Sequence, residues 1–364
     1  MPSTESTDVA VVGAGPIGLE LAVALKRAGF DYLHFDARQV GYTISWFAPQ
    51  TRFFSSNERI AIAGVPLQTP DGGKCSREQY LAYLRTVVEQ FDLPVRTYEP
   101  VAGIERVPGN GGFVLTTKPP GGERRIRANR LVLATGGTDK PRRLGIRGED
   151  GGHVSHYFDD PHKYFRKRLL IVGGKNSAIE AALRCHHAGA HVSLSYRREK
   201  LPAKSIKYWL LPEINGLLDS GRITAHFNTV PTEITPARVR LEPWTDPASK
   251  SARSPGFDFA APEPRSLNVP ADFVLLLIGY QADVTLLRLA GVTLTEPCQA
   301  PVFDERTMET DVPGLYVAGT AVAGTQDKYR VFIENCHVHV GRILAALTGA
   351  PAPATPQPLA APES

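Results

Sequence analysis

Two groups of residues have the types and spacing to do chemistry. Gly13, Gly15 and Gly18 stand in GAGPIG, directly after the apolar run DVAVV, and Asp36 closes the next apolar run. The first glycine allows a tight turn, the second lets backbone approach a pyrophosphate, and the third lets helix and strand pack closely. The helix that follows points its unpaired N–H groups at the phosphates. A carboxylate at the end of the next strand accepts hydrogen bonds from an adenosine ribose. The competing reading is a tight structural turn, which by itself requires neither the flanking elements nor the acid.

The second group lies in LLIVGGKNSAIEAA, residues 169–182, with Gly173, Gly174, Lys175, Asn176 and Ser177 in its loop. Lys175 occupies the position of Gly15. Its Cβ would crowd a phosphate, while its ammonium would attract one. Tyr196, Arg197 and Arg198 follow the next strand where the first copy has its acid. Two guanidiniums suit a 2′-phosphate, which a carboxylate would repel, so this site is expected to take NADPH. The competing reading is a solvated basic pair at a strand end.

Both loops belong to one repeated unit. Residues 8–38 superpose without a gap on residues 168–198, with Gly13 on Gly173, Gly18 on Ala178 and Ala28-Gly29 on Ala188-Gly189. Each copy reads as strand, glycine loop, amphipathic helix and second strand, the start of a right-handed βαβ unit. Further apolar runs at 130–135, 272–278 and 315–318 read as strands, and the alternating segments 112–117 and 237–242 as antiparallel ribbons. Residues 205–219 read as a helix interrupted near Pro212, and 329–347 as one long helix. ATGG at 134–137 and DVPGLYVAGTAVAG at 311–324 are strand-to-turn passages that bring backbone donors to a flavin. LIGYQAD at 277–283 ends a strand where the chain crosses back between domains.

Length and composition set the frame. The chain has 364 residues, 42% hydrophobic and 21% charged, which suits two domains with sizeable cores. A net charge of +4 calls for no nucleic-acid partner. MPSTESTDVA has neither the basic nor the apolar region of a secretory signal, and no apolar run is long enough to span a membrane. The expected compartment is cytoplasmic. Cys75, Cys185, Cys298 and Cys336 form no CxxC and no metal-type spacing, so no metal is expected. HVSH at 153–156 reads as structural or as a hinge. His337 and His339, two apart on a helix, face different directions. No GxSxG supports a serine hydrolase.

Taken together, the two βαβ units, the ATG segment and VPGLYVAG resemble the thioredoxin-reductase-like flavoproteins with two dinucleotide-binding domains. GGKNSAIEAAL, SIKYWLLPEI, GEDGGHVSHYF, FFSSNERIAIAGVP and VFIEN resemble, more narrowly, the bacillithiol disulfide reductase family, over about residues 7–348. The resemblance implies an α/β fold of two Rossmann-like domains, the NADPH domain (153–282) inserted into the FAD domain (1–152 and 283–350), with a disordered tail at 351–364. It implies FAD at Gly13, Gly15, Asp36, Thr135, Gly319 and Thr320, and NADPH at Gly173, Lys175, Asn176, Ser177, Arg197 and Arg198. Pro16, Ile17, Ala37, Arg38, Thr43, Val101, Ala134, Gly136, Gly174 and Gly279 complete the cofactor-binding set. A homo-oligomer, dimer or tetramer, is implied as well.

The implied activity is NADPH-dependent reduction of a low-molecular-weight thiol disulfide of the bacillithiol type, through FAD. Three departures bear on it. VSHYFDD at 154–160 has no cysteine where thioredoxin reductases place a CxxC. Ile17 stands where many relatives carry a cysteine, and Thr320 where the usual residue is Asp. The candidate catalytic residues are therefore Cys336 as a redox thiol, and His156 or Tyr157 as proton donor to a leaving thiolate. A ferredoxin or flavodoxin–NADP reductase, which also lacks CxxC, is the first alternative. A flavin monooxygenase ranks lower, because the linker has Ile146 and Gly148 but lacks the histidine. A flavoprotein that senses NADPH and signals through a partner is a reading of another class.

Overall fold

The computed structural model describes residues 5–109, 112–244, 266–326 and 330–351. The chain forms two compact units. One runs to Lys140 and resumes at Tyr280, and the other spans Pro141–Gly279. The junctions thus lie at 140/141 and 279/280 rather than at 152/153 and 282/283. Glu149 closes the 144–156 segment on itself. This buried carboxylate accepts the N–H groups of Leu144 and Gly145 at 2.9 and 2.7 Å and pairs with His156 at 2.9 Å. The segment is tied to the rest of the second unit by the Ile234 N–H, which donates to the Arg147 carbonyl at 2.9 Å, by His153 Nε2 against the Thr235 carbonyl at 3.0 Å, and by the pairing of Val154 and Ser155 with Val274 and Leu275. The tail from residue 352 lies outside the described residues.

The first unit opens with β1 (Glu5–Val12), α1 (Pro16–Arg27) and β2 (Tyr32–Phe35). Helix α2 (Arg77–Gln90) follows, then β3 (Val95–Arg96) and a meander of β4 (Val101–Arg106), β5 (Phe113–Thr117) and β6 (Arg124–Leu133). The second unit carries β7 (Arg168–Val172), α3 (Asn176–His187), β8 (His191–Tyr196), α4 (Leu211–Asp219) and β9 (Thr224–Phe227). It continues through β10 (Thr229–Ile234), β11 (Arg238–Pro243), β12 (Leu267–Pro270) and β13 (Phe273–Leu276). The chain then returns to the first unit with β14 (Leu315–Val317) and α5 (His337–Thr348).

The seven-stranded sheet of the first unit has the order β3-β2-β1-β6-β5-β4, with β14 also paired to β6. Strands β3, β2, β1, β6 and β14 run parallel, while β4, β5 and β6 form an antiparallel meander. In the second unit β9-β8-β7-β13 is parallel and continues to the two-residue strand Val154–Ser155. A separate antiparallel sheet joins β10, β11 and β12. The central parallel strands are covered on both faces, which is why they read as unbroken apolar runs. Val9–Val12, Leu131–Leu133 and Leu315–Val317 are buried throughout, as are Leu169–Val172 and Val274–Leu276.

Two helices differ from the sequence expectation. The stretch 205–219 is helical only from Leu211. Pro212 sits in the first turn, where its missing N–H costs nothing, so it starts the helix rather than interrupting it. The expected helix at 329–347 begins at His337, after a 3-10 turn at Ile333–Asn335. Asn335 bends the chain there: its Oδ1 accepts the Phe332 N–H at 2.9 Å and its Nδ2 donates to the Arg330 carbonyl at 2.7 Å. Residue 329 lies outside the described residues. No helix among them is long and apolar enough to cross a membrane.

The two glycine loops reach the same geometry with different residues. A Cβ on Gly18 would overlap the Gly13 carbonyl oxygen, so α1 crosses its loop at a distance only glycine permits. In the second copy Ala178 takes that place, and its methyl packs against the loop at Gly173. Gly18→Ala is therefore expected to destabilise the protein by about 1–3 kcal/mol or more, as overpacking does. The reciprocal Ala178→Gly should cost only about 1 kcal/mol, the ordinary helix-propensity loss. Urea unfolding of both variants checks the asymmetry; equal losses would contradict the steric account.

Candidate functional site

In the first unit, three loops end side by side at the carboxyl edge of the sheet. They follow β1, β6 and β14, three parallel strands that are neighbours in the sheet. The β1 loop is fixed from several directions. Gly13 has φ +110°, and a Cβ there would overlap the Ala134 carbonyl. Its N–H donates to the Phe35 carbonyl at 2.8 Å. Asp36 holds the next residue: one carboxylate oxygen accepts the Ala14 N–H at 2.6 Å, the other the Arg38 N–H at 2.7 Å. Burial pushes the Asp36 carboxyl above its ordinary range, against the pull of these two N–H bonds.

Gly15 is the open position of this loop. It has φ −77° and ψ −179°, extended backbone that any residue adopts, and a Cβ there would meet nothing within 4 Å. Glycine is thus required by neither conformation nor packing, and the loop leaves open space at this point. Helix α1 starts immediately after with Pro16, and no side-chain cap bond closes its first turn. Ile17 is buried and lies against Gly319 in the β14 loop. Thr320 ties the β14 and β6 loops together: its Oγ accepts the Gly137 N–H at 2.9 Å, next to Gly136 and Thr135. Gly41 donates to the Ala14 carbonyl at 3.0 Å and begins the short helix that carries Thr43. Val101 starts β4, close in the chain to Glu99, whose N–H donates to the Asp36 carbonyl at 3.0 Å.

Two histidines hold this frame and were not legible as site residues. His34 is fully buried on β2, and its Nε2–H donates to the Gly13 carbonyl at 2.9 Å. His339 is buried on α5, and its Nδ1 accepts the Gly319 N–H at 3.2 Å. Burial lowers both imidazoles to about 4, so both are neutral at neutral pH. The signal for His34 was present in its strand position, inward-facing between apolar neighbours. His337 points elsewhere: its Nδ1 meets Glu20 at 2.7 Å and its Nε2 donates to the Arg59 carbonyl at 2.9 Å.

The second loop repeats the design. Gly173 donates to the Ser195 carbonyl at 3.0 Å, as Gly13 does to Phe35. The Tyr196 ring lies directly on Gly174, where a Cβ would come within 2.6 Å of it. Lys175 is the residue before α3, with φ −107° and ψ −174°, the same extended backbone as Gly15. Asn176 and Ser177 form the first turn of α3, which also has no side-chain cap. Arg197 and Arg198 follow β8 and are exposed. Gly279, φ +102°, accepts the Arg142 N–H at 2.9 Å on its carbonyl.

The cysteine assignment needs correction. Cys336 is fully buried just before α5, and burial pushes its thiol far above the usual range. A protonated, enclosed thiol is neither nucleophile nor reachable by a disulfide, so it is a packing residue. Cys75 and Cys185 are also fully buried, their thiols pushed up to about 11 and about 12 by burial. Cys298 alone is partly exposed. His156 is bonded to Glu149 in the second unit, and Tyr157 lies beside it in the chain, with its N–H on Ser155 Oγ at 3.1 Å. Glu149 stays below its ordinary range because the bonds from His156 and the Leu144 and Gly145 N–H groups outweigh its burial.

Comparison with known proteins agrees with this geometry. The family model for pyridine nucleotide-disulphide oxidoreductases matches residues 10–319. The chain is 33% identical over 337 residues to bacilliredoxin reductase Bdr of Bacillus subtilis, covering 93% of this chain and 96% of that protein. The structure of bacillithiol disulfide reductase Bdr from Staphylococcus aureus superposes with a TM-score of 0.83 at 31% identity, over 95% of this chain and 99% of that one. The Bacillus cereus counterpart gives 0.84 at 30% identity, with the same coverage.

The two neutral histidines generate a pH dependence. Each ring has an unfolded value near 6.5 and a folded value of about 4. Between these values the unfolded chain binds more protons, so stability is fully present above pH 6.5 and is lost as pH falls toward 4. The loss is on the order of 3 kcal/mol for each ring. Urea midpoints measured across this range should fall steeply with acidification, and less steeply in His34→Gln and His339→Asn. An identical slope in the double variant would show that the rings are not held neutral.

Proposed function

This chain belongs to the bacillithiol disulfide reductase family of pyridine nucleotide-disulphide oxidoreductases and is a flavin-dependent disulfide reductase of the thioredoxin-reductase type; we propose that it uses NADPH to reduce the disulfide of a low-molecular-weight thiol such as bacillithiol. The observation that carries the cofactor reading is the pair of glycine loops of one geometry but opposite charge. The first ends its second strand on Asp36, the second on Arg197 and Arg198.

The residues of the first unit fit FAD. The open space at Gly15 and the uncapped start of α1 suit its pyrophosphate, and Asp36 has lone pairs left for the adenosine ribose. The β6 and β14 loops, stitched by Thr320, offer backbone donors to the ribityl side. Bound FAD supplies a two-electron carrier between a nicotinamide and a disulfide. The chain's own task is to hold the loops rigid, which neutral His34 and His339 do without placing a charge among them.

In the second unit, Lys175 and the α3 N-terminus take the coenzyme's pyrophosphate, and the arginine pair takes its 2′-phosphate. With Cys336 enclosed and Ile17 in the first loop, the chain's described cysteines offer no relay thiol in those two places. A bound flavin would then face the disulfide with no protein thiol from those two places between them, and reduction to two thiols would draw two protons from solvent or from a polar side chain at the site.

Two experiments test this reading. Replacing Arg197 and Arg198 by Ala should raise KM for NADPH by about 10- to 100-fold while leaving KM for NADH nearly unchanged, the expected loss of charge-assisted bonds. An unchanged NADPH-to-NADH preference would remove the 2′-phosphate assignment. Under anaerobic conditions, bacillithiol disulfide should sustain NADPH oxidation well beyond one turnover. Turnover only with ferredoxin or flavodoxin would move the acceptor to those proteins.

A further inference from the structure

One segment of the second unit has no task in the coenzyme site so far: SIKYW, residues 205–209, between the arginine pair and α4. It is not loose. Ile206 is buried at its base, and the Leu210 N–H donates to the Lys207 carbonyl at 2.9 Å to close a turn. The Lys207 N–H donates to Asn176 Oδ1 at 2.8 Å. Asn176 is the first residue of α3, immediately after Lys175. A side chain of the glycine loop therefore fixes the backbone of this turn.

What the turn presents is unusual for a surface. Tyr208 is 67% exposed and Trp209 is 38% exposed. Their rings meet edge to face, with centroids 5.0 Å apart and an interplanar angle of 87°. Lys207 Nζ stands 5.8 Å from the centre of the Trp209 ring. Two large exposed aromatic rings in mutual contact, on a turn whose backbone is fixed, offer a planar ligand an apolar surface. An ammonium beside them adds a phosphate partner. This segment follows Arg197 and Arg198 in the chain and is bonded to the α3 N-terminus through Asn176. It thus connects the residues assigned to the 2′-phosphate with those assigned to the pyrophosphate, the two ends of the adenosine half.

We propose that Lys207, Tyr208 and Trp209 form a wall of the coenzyme site, the aromatic pair receiving the adenine ring and Lys207 a neighbouring phosphate. This rests on the NADPH reading and extends it to residues outside the glycine-loop motif. The bond from Lys207 to Asn176 gives the wall its register. Occupation of the loop and seating of the base are then coupled through one side chain.

The test uses the full-length, FAD-loaded protein and 2′,5′-ADP, which carries the adenine and both phosphates but no nicotinamide. By calorimetry, Tyr208→Ala and Trp209→Ala should each weaken 2′,5′-ADP by roughly 5- to 100-fold, the range of base stacking on an aromatic side chain. Trp209→Phe should restore most of the affinity. Unchanged affinity in both alanine variants overturns the wall and leaves the coenzyme reading intact, as does a loss seen with NADP⁺ but not with 2′,5′-ADP. No binding of 2′,5′-ADP to the unsubstituted protein sinks the coenzyme reading itself. A second measurement avoids disrupting the turn: with Trp46 and Trp244 changed to Phe, the remaining indole is Trp209. Quenching of its emission by 2′,5′-ADP supports the wall, and unaltered emission at saturation overturns it.

Discussion

Helix α1 meets its glycine loop where no side chain fits between Gly18 and the Gly13 carbonyl, and the first unit is arranged around that contact. The carbonyl must then be satisfied from another side, which His34 does from β2. The Gly13 N–H is taken by Phe35, and the Ala14 N–H by Asp36. The N–H and carbonyl groups of Gly13 and Ala14 are thereby assigned before any ligand arrives, the Ala14 carbonyl through the Gly41 N–H. A loop with its internal bonds complete has little freedom to reorganise, and preorganisation of this kind makes an anion site effective.

The same fold solves the problem more economically in the second copy. Ala178 replaces Gly18, Leu194 stands where the first copy has His34, and the Tyr196 ring covers Gly174. The difference follows from what surrounds each loop. In the first unit the β6 and β14 loops close in and must be held apart and aligned, which takes Thr320 and His339. In the second, β13 lies beside β7, the Leu277 carbonyl confines Gly173, and the KYW turn is bonded to Asn176.

Much of this was visible in the sequence because it rests on local sterics. The two βαβ units, the glycine positions, the acid and the arginine pair are separated by few residues, and each has a physical reason to be the type it is. The parallel strands announced themselves as apolar runs because both of their faces are buried. What stayed hidden depends on contacts far apart in the chain. Nothing in YLHF says that His34 will meet Gly13, and nothing in CHVHV says that His339 will reach Gly319. The burial of Cys336 is likewise a tertiary fact, as is the bond that fixes Lys207 to Asn176. Helix limits were misread where a side chain redirects the backbone, at Asn335, and where Pro212 opens a helix instead of breaking one.

Lys175 and Gly15 share one extended backbone conformation, although one bears a long cation and the other bears nothing. The scaffold therefore does not register what is attached at that point. At this one position the two copies differ by a side chain with no change of backbone. The same tolerance makes position 175 one where a side chain can be exchanged while the loop keeps its shape and its twin stays untouched.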